Sequence, residues 1–183
     1  CGFAMSVIMQ ILMGTYFIAR FGNEEIKQRV LVPAIKGEKI GTICFTEDQS
    51  GSDLAGTKTS ATKVDGGWRI NGNKQWITNG GEAEIYSVMA VTDKTKGARG
   101  ISAFILEKGM PGFRLGQKWK DKLGMRASFT AELVFDGVRV PLANRLGEEG
   151  QGTHSFLRAH GLREIHIFDR SERALDETDP AWI

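Results

Sequence analysis

The sequence predicts an α+β fold, with an antiparallel β-barrel or sandwich as its middle domain and helical segments of N- and C-terminal helical domains on either side. Three observations lead there. Residues 1–19 carry no charge and read as one apolar helix. From Ile40 the pattern changes from helical spacing to alternation, and it stays so for about a hundred residues cut by turn signals. After Gly152 a helical pattern returns, with Phe156, Leu157, Leu162, Ile165 and Phe168 as its apolar set. The expected divisions are residues 1–37, 38–147 and 148–183.

Each element has its local reason. Phe3 to Ala19 is long enough to raise the question of a membrane span. Ser6, Gln10, Gly14 and Thr15 interrupt it and Arg20 follows directly, so we read it as a buried bundle helix whose neighbours lie upstream of Cys1. Gly22-Asn23 ends it, with Gly22 expected in the left-handed region. Glu24 and Glu25 open a second helix, where acids favour the dipole, and Pro33 stops it there or shortly after. Lys36 to Lys39 is a charged turn.

The strands follow: Ile40 to Phe45, Thr57 to Val64, and a return strand starting at Trp68 after the Asp65-Gly66-Gly67 turn. Ile85 to Thr92 and Ile101 to Glu107 flank the charged loop Asp93 to Gly100. Phe113 to Trp119 comes after Pro111-Gly112, and Ala131 to Phe135 and Val138 to Val140 lie either side of Asp136-Gly137. Pro141 closes the β region, and Glu148 to Gly152 is a glycine-rich hinge.

Composition narrows the function. The 183 residues are 41% hydrophobic and 25% charged, ordinary for a globular chain, and the net charge of +2 is too small to imply nucleic acid. Two cysteines, Cys1 and Cys44, form no disulfide framework and fit a reducing compartment. No targeting signal is visible, so the cytoplasm or a mitochondrial matrix is the expected location. His154, His160 and His166 fall about 240° apart on a helix, so they share no face and no metal site is expected. The arginines and acids of residues 158–177 read as a solvated helix surface.

Two stretches carry chemistry. Cys44 to Gly56 crowds Gly51, Gly56 and the hydroxyls of Thr46, Ser50 and Ser52 into one bend after a strand. Backbone N–H groups in such a bend can converge on an anion, and the hydroxyls add donors to the rim. An ordinary surface turn would have the same composition. The second stretch is Lys74-Gln75-Trp76-Ile77-Thr78-Asn79-Gly80. Alternation puts Trp76 and Thr78 on one face and Ile77 on the other, toward the barrel interior. An indole beside a hydroxyl suits a flat aromatic ligand with polar edge atoms, although a core Trp beside a turn would read alike.

These two stretches, about twenty residues apart, resemble the flavin-binding part of the acyl-CoA dehydrogenase family. The resemblance also takes in Glu25-x-Lys27-Gln28-Arg29, Gly37 to Gly41, Gly100 to Phe104, Lys122 to Ser128 and Val134 to Pro141, and covers residues 1 to about 152. It implies FAD between the barrel and a C-terminal bundle, partly completed by a neighbouring subunit of a homo-oligomer, dimer or tetramer, when full length. By position it implies Phe45 and Thr46 at the flavin edge and Gly51 and Ser52 at the pyrophosphate, with Ser52 also near the acyl-CoA substrate. It implies Trp76 and Ile77 along the ring and Thr78 near its reactive nitrogen.

The implied reaction is α,β-dehydrogenation of an acyl-CoA thioester, with an electron-transfer flavoprotein as acceptor and no nucleic acid or membrane span involved. An acyl-CoA oxidase or flavin monooxygenase of the same fold, or a non-catalytic binding or scaffold fragment, are the alternatives. The family's catalytic carboxylate lies in the C-terminal bundle, beyond any matching position here, so this chain is expected to be inactive alone. Glu47 is expected to hold the turn, not to act as base. Departures from the family pattern are Asp48-Gln49, Phe45 and Phe129, and a carboxylate at Asp48 would weaken a pyrophosphate site unless it points outward. Gly150 to Arg163 and Glu172 to Glu177 resemble the family's first C-terminal helix, with the region between about one turn short.

Overall fold

The computed structural model describes residues 2–153; the expected helix beyond Gly152 and all three histidines lie outside the described residues. Helix α1, Gly2–Phe21, is long and apolar enough by composition to cross a membrane. Its second half is nevertheless laid against a sheet, with Phe17 and Ile18 fully buried. The approach is close because two glycines meet: a Cβ on Gly14 would stand 2.4 Å from the carbonyl oxygen of Gly41. Gln10 ties the same crossing, donating to the carbonyls of Ala34 (3.2 Å) and Lys39 (3.0 Å) and accepting from the Gly41 N–H (2.6 Å). Phe3, Val7, Ile8, Ile11 and Leu12 on the first half stay exposed.

Gly22 does not take the left-handed cap conformation expected of it; its backbone is extended, at φ −69° and ψ 139°. The cap belongs instead to the next helix, where the Asn23 side chain accepts from the Ile26 N–H at 2.8 Å. Helix α2 runs through Glu24–Ile26, Lys27–Leu31 and Val32–Ile35. Pro33 follows closely on the wider turns of Lys27–Leu31, and the helix ends two residues beyond it at Ile35. Arg29 pins α2 to the sheet through Glu107 and Asn144.

Eight strands form one sheet: β1 (Gly41–Cys44), β2 (Ser60–Val64), β3 (Gly67–Thr78), β4 (Ile85–Val91), β5 (Ile101–Glu107), β6 (Phe113–Lys118), β7 (Thr130–Pro141) and β8 (Arg145–Leu146). The order is β6-β7-β3-β2-β4-β5-β8, with β1 on β4 off that path. The α+β class holds, but the sheet does not close on itself among the described residues. Two pairings are parallel, β1 with β4 and β2 with β4. The chain leaves β1 and re-enters as β2 in the same direction, so both run along one side of β4. The remaining pairings are antiparallel.

The two short strands expected around Asp136-Gly137 are one continuous β7. The chain passes the turn signal as a bulge: Ile70 pairs Val138 and Gly72 pairs Phe135, so β7 carries one residue more than β3 there. Gly137 takes φ +63° and its N–H reaches the Asn71 side chain at 2.8 Å.

Two apolar clusters flank the sheet. Trp68, Ile70, Ile77, Tyr86, Val88, Phe104, Leu133, Phe135 and Val138 fill one side. On the other, Phe17, Ile18, Ile26 and Val30 from the helices meet Ile85, Met89, Ile101 and Ile105 from β4 and β5. All seven residues of β4 are buried, which is why its sequence reads as a continuous apolar run.

Candidate flavin-binding site

The loop that leaves β1 is held by its own carboxylate. Glu47 and Ser50 pair through their backbones, Glu47 N–H to Ser50 O at 2.8 Å and Ser50 N–H to Glu47 O at 3.2 Å. The Glu47 carboxylate then accepts from the N–H groups of Lys58 (2.7 Å) and Thr59 (3.0 Å) and from the Gln49 side chain (2.6 Å). It is buried against Lys74, whose Nζ lies 2.7 Å from Oε1 and donates also to the Phe45 carbonyl at 3.0 Å. Burial raises the Glu47 pKa, but the Lys74 charge and the hydrogen bonds from Lys74, Thr59 and Lys58 outweigh it, and the carboxyl sits below its ordinary range. For Lys74 burial wins over the attraction of Glu47, and the ammonium sits below its ordinary value. Burial pushes the neighbouring Cys44 thiol far up, so it is inert.

The expected hydroxyl rim is corrected at one position. Ser50 is buried and its Oγ donates back to the Asp53 carbonyl at 2.6 Å, so it braces the turn and offers nothing outward. Gly51, Ser52 and Asp53 form the exposed tip, and Thr46 is half-buried.

Two hydrogen bonds bring the second stretch to β1 and the loop that leaves it. The Gln75 N–H donates to the Thr46 carbonyl at 2.8 Å, and the Thr42 hydroxyl donates to the Thr78 carbonyl at 2.6 Å. Phe45, Thr46, Trp76, Ile77 and Thr78 therefore belong to one neighbourhood, with Gly51 and Ser52 at the tip of the same loop. Ile77 is buried in the interior cluster, whereas Trp76 is 54% exposed. Trp76 sits at φ +58°, a rare conformation for so large a residue and worth a functional reading. Asn79 follows at φ +61°, its N–H on the Phe129 carbonyl at 2.8 Å and its side-chain nitrogen buried without a partner among the described residues.

Two residues here escaped sequence reasoning. Alternation puts Lys74 on the same face as Trp76, yet Lys74 and Ile77 both point inward. The reason is a bulge: Lys74 pairs Leu133 and Ile77 pairs Ala131, three steps on β3 against two on β7. The second is Trp119, whose ring stacks on Trp76 with centroids 4.1 Å apart and planes 32° apart. Its place after β6 gave no sign of that contact. A surface cavity of about 300 Å³ between Phe21–Asn23 and Leu142–Glu148 is lined by none of these residues. Among the described residues no group of His, Cys, Asp and Glu could hold a metal ion.

A half-exposed indole, a hydroxyl beside it and a glycine-bearing loop tip can together take a flat aromatic ring with an anionic extension. The family model described as acyl-CoA dehydrogenase, middle domain, matches residues 42–138, more than half of the chain.

This chain belongs to the acyl-CoA dehydrogenase family.

A short-chain-specific acyl-CoA dehydrogenase of Megasphaera elsdenii is 49% identical over 152 residues, covering 82% of this chain and 39% of the relative. The butyryl-CoA dehydrogenase structure from the same organism superposes with a TM-score of 0.84 at 46% identity, covering 88% of this chain and 43% of that one. The FAD complex of PigA superposes with a TM-score of 0.83 at 31% identity, covering 86% of this chain and 41% of that one. The chain thus spans about two fifths of the acyl-CoA dehydrogenase relatives it matches.

Proposed function

We propose that this chain is the flavin-holding part of an FAD-dependent acyl-CoA dehydrogenase, which in its full length removes hydrogen from the α and β carbons of an acyl-CoA thioester. The observation that carries the reading is the Gln75–Thr46 bond, which sets the glycine-bearing loop beside the exposed face of Trp76. FAD, when bound, supplies the oxidising chemistry, and an electron-transfer flavoprotein is the acceptor we assign. The butyryl-CoA dehydrogenase and the FAD complex among the structural relatives support substrate class and cofactor alike.

The residues present fit that cofactor. Trp76 offers an apolar ring surface to the flat system, and Thr78 a hydroxyl at its edge. Phe45 and Thr46, fixed from below by Lys74 and Gln75, meet the polar edge. Ile77 anchors the strand beneath the ring from the interior cluster. The exposed tip at Gly51 and Ser52 takes the pyrophosphate, and Ser52 also borders the acyl-CoA. Loss of a proton from the α-carbon requires a base, and Glu47 is not it, because its carboxylate is already bonded to Lys74, Lys58 and Thr59. We assign the base to no residue of this chain and expect residues 1–183 alone to show no turnover.

The test is to purify the full-length protein and look for a copurifying flavin absorbance band, then add acyl-CoA with a dye acceptor. Flavin with acyl-CoA-dependent dye reduction is the expected result. Absence of flavin after supplying FAD overturns the reading, and rapid oxygen consumption in place of dye reduction turns it to an oxidase.

A further inference from the structure

Strands β3 and β6 do not pair, because β7 lies between them. Leu133 of β7 pairs with Lys74 on one side and Leu115 on the other, and Ala131 pairs with Ile77 and with Lys118. Both outer strands thus use three steps where β7 uses two, and the two bulges sit at the same level of β7. A bulge bends its strand and re-aims the side chains around it. Here the result is that Trp76 from one bulge and Trp119 from just beyond the other meet, centroids 4.1 Å apart. Thr130 fixes both approaches, pairing Thr78 and accepting from the Trp119 N–H at 3.0 Å.

With one indole face against Trp119, Trp76 still exposes 54% of its surface, so its far face is open. An exposed tryptophan held by nothing would sample several rotamers and lose that freedom on binding a ring. Trp119 removes much of that freedom beforehand. Trp119 is itself half-buried, and Lys118 beside it is tied to Glu82 at 2.6 Å, which steadies the end of β6.

We propose that Trp119 is a positioning residue for the cofactor, backing the Trp76 indole so that its opposite face is held in plane for the flavin. The proposal rests on the flavin reading of the site. Freezing the Trp76 rotamer beforehand is worth about two- to tenfold in affinity, the range that immobilising one such side chain costs on binding.

The experiment compares full-length wild type with Trp119→Ala, Trp119→Phe and Trp76→Phe, each stripped of flavin. Circular dichroism reads the exciton couplet of two stacked indoles without any ligand, and titration with FAD reads affinity by flavin fluorescence. The expected result is a couplet in wild type, lost in all three variants, with FAD weakened two- to tenfold in Trp119→Ala and largely restored in Trp119→Phe. Unchanged or tighter FAD binding in Trp119→Ala overturns the proposal; tighter binding would mean that Trp119 occupies the place of the ring. A couplet that survives in Trp119→Ala overturns it too. Failure of the flavin reading is seen separately, as wild type showing the couplet but taking up no FAD.

Discussion

Lys74 and Glu47 form an ion pair shut off from solvent, Nζ to Oε1 2.7 Å, and each spends its remaining bonds on the loop that follows β1. Lys74 holds the Phe45 carbonyl at the start of that loop, and Glu47 holds the Lys58 and Thr59 amides at its end. The pair closes the loop like a clasp onto β3, the strand that carries both Lys74 and Trp76.

Breaking it from one side should be severe. Lys74→Met leaves a buried carboxylate unpaired, and Glu47→Leu leaves a buried ammonium, each costing about 3–5 kcal/mol. The double variant should recover much of that loss, since neither charge is then stranded. Urea denaturation of the four proteins measures it; singles within about 1 kcal/mol of wild type would show that the pair holds nothing.

The same pair sets an acid dependence. Glu47 titrates below its ordinary 4.5 in the fold, so its contribution is fully present above that value and is lost as pH falls through the lowered one. Lys74 is also lowered, so by the same linkage its charged form costs stability at neutral pH, and that cost shrinks as pH rises. The pair therefore gives an acid limb and no alkaline one. Stability followed from neutral to about pH 3 should fall in wild type and fall less steeply in Glu47→Gln. Parallel curves would count against the assignment.

Trp76→Ala should empty the flavin site. Truncating a tryptophan that packs on a ring removes about 3 kcal/mol, more than a hundredfold in affinity. Flavin absorbance of the purified full-length variant checks this. Because Trp76 is half-exposed, the fold itself should survive, as a melting curve would show.

Gly14→Val should loosen α1. A Cβ there meets the Gly41 carbonyl oxygen at 2.4 Å, backbone that no rotamer change can clear. Overpacking of this kind costs about 1–3 kcal/mol, readable as a lower melting temperature.

Much of this was legible in the residues. The shift from helical to alternating periodicity at Ile40 marks where the sheet begins, and the continuous apolar runs became β4 and β5. Ile77 inward with Trp76 outward also followed from alternation. What alternation could not show was the bulge at Lys74–Ile77, because an extra residue changes the face without changing composition. Strict alternation from Trp76 would put Lys74 outward, yet it is one of the most buried side chains. Ser50 and Gly22 failed for a related reason. Each residue type permits two local roles: Ser50 turned back onto the Asp53 carbonyl within its own turn, and Gly22 gave way to the cap of the next helix.

Strand β4 faces apolar neighbours on both sides, Ile85, Met89 and Val91 toward the helices and Tyr86, Val88 and Ala90 toward the other cluster. Neither half of the molecule owns that spine. Heat finds no seam along which to part the helical layer from the ligand-bearing layer, and the two should melt together in a single cooperative step.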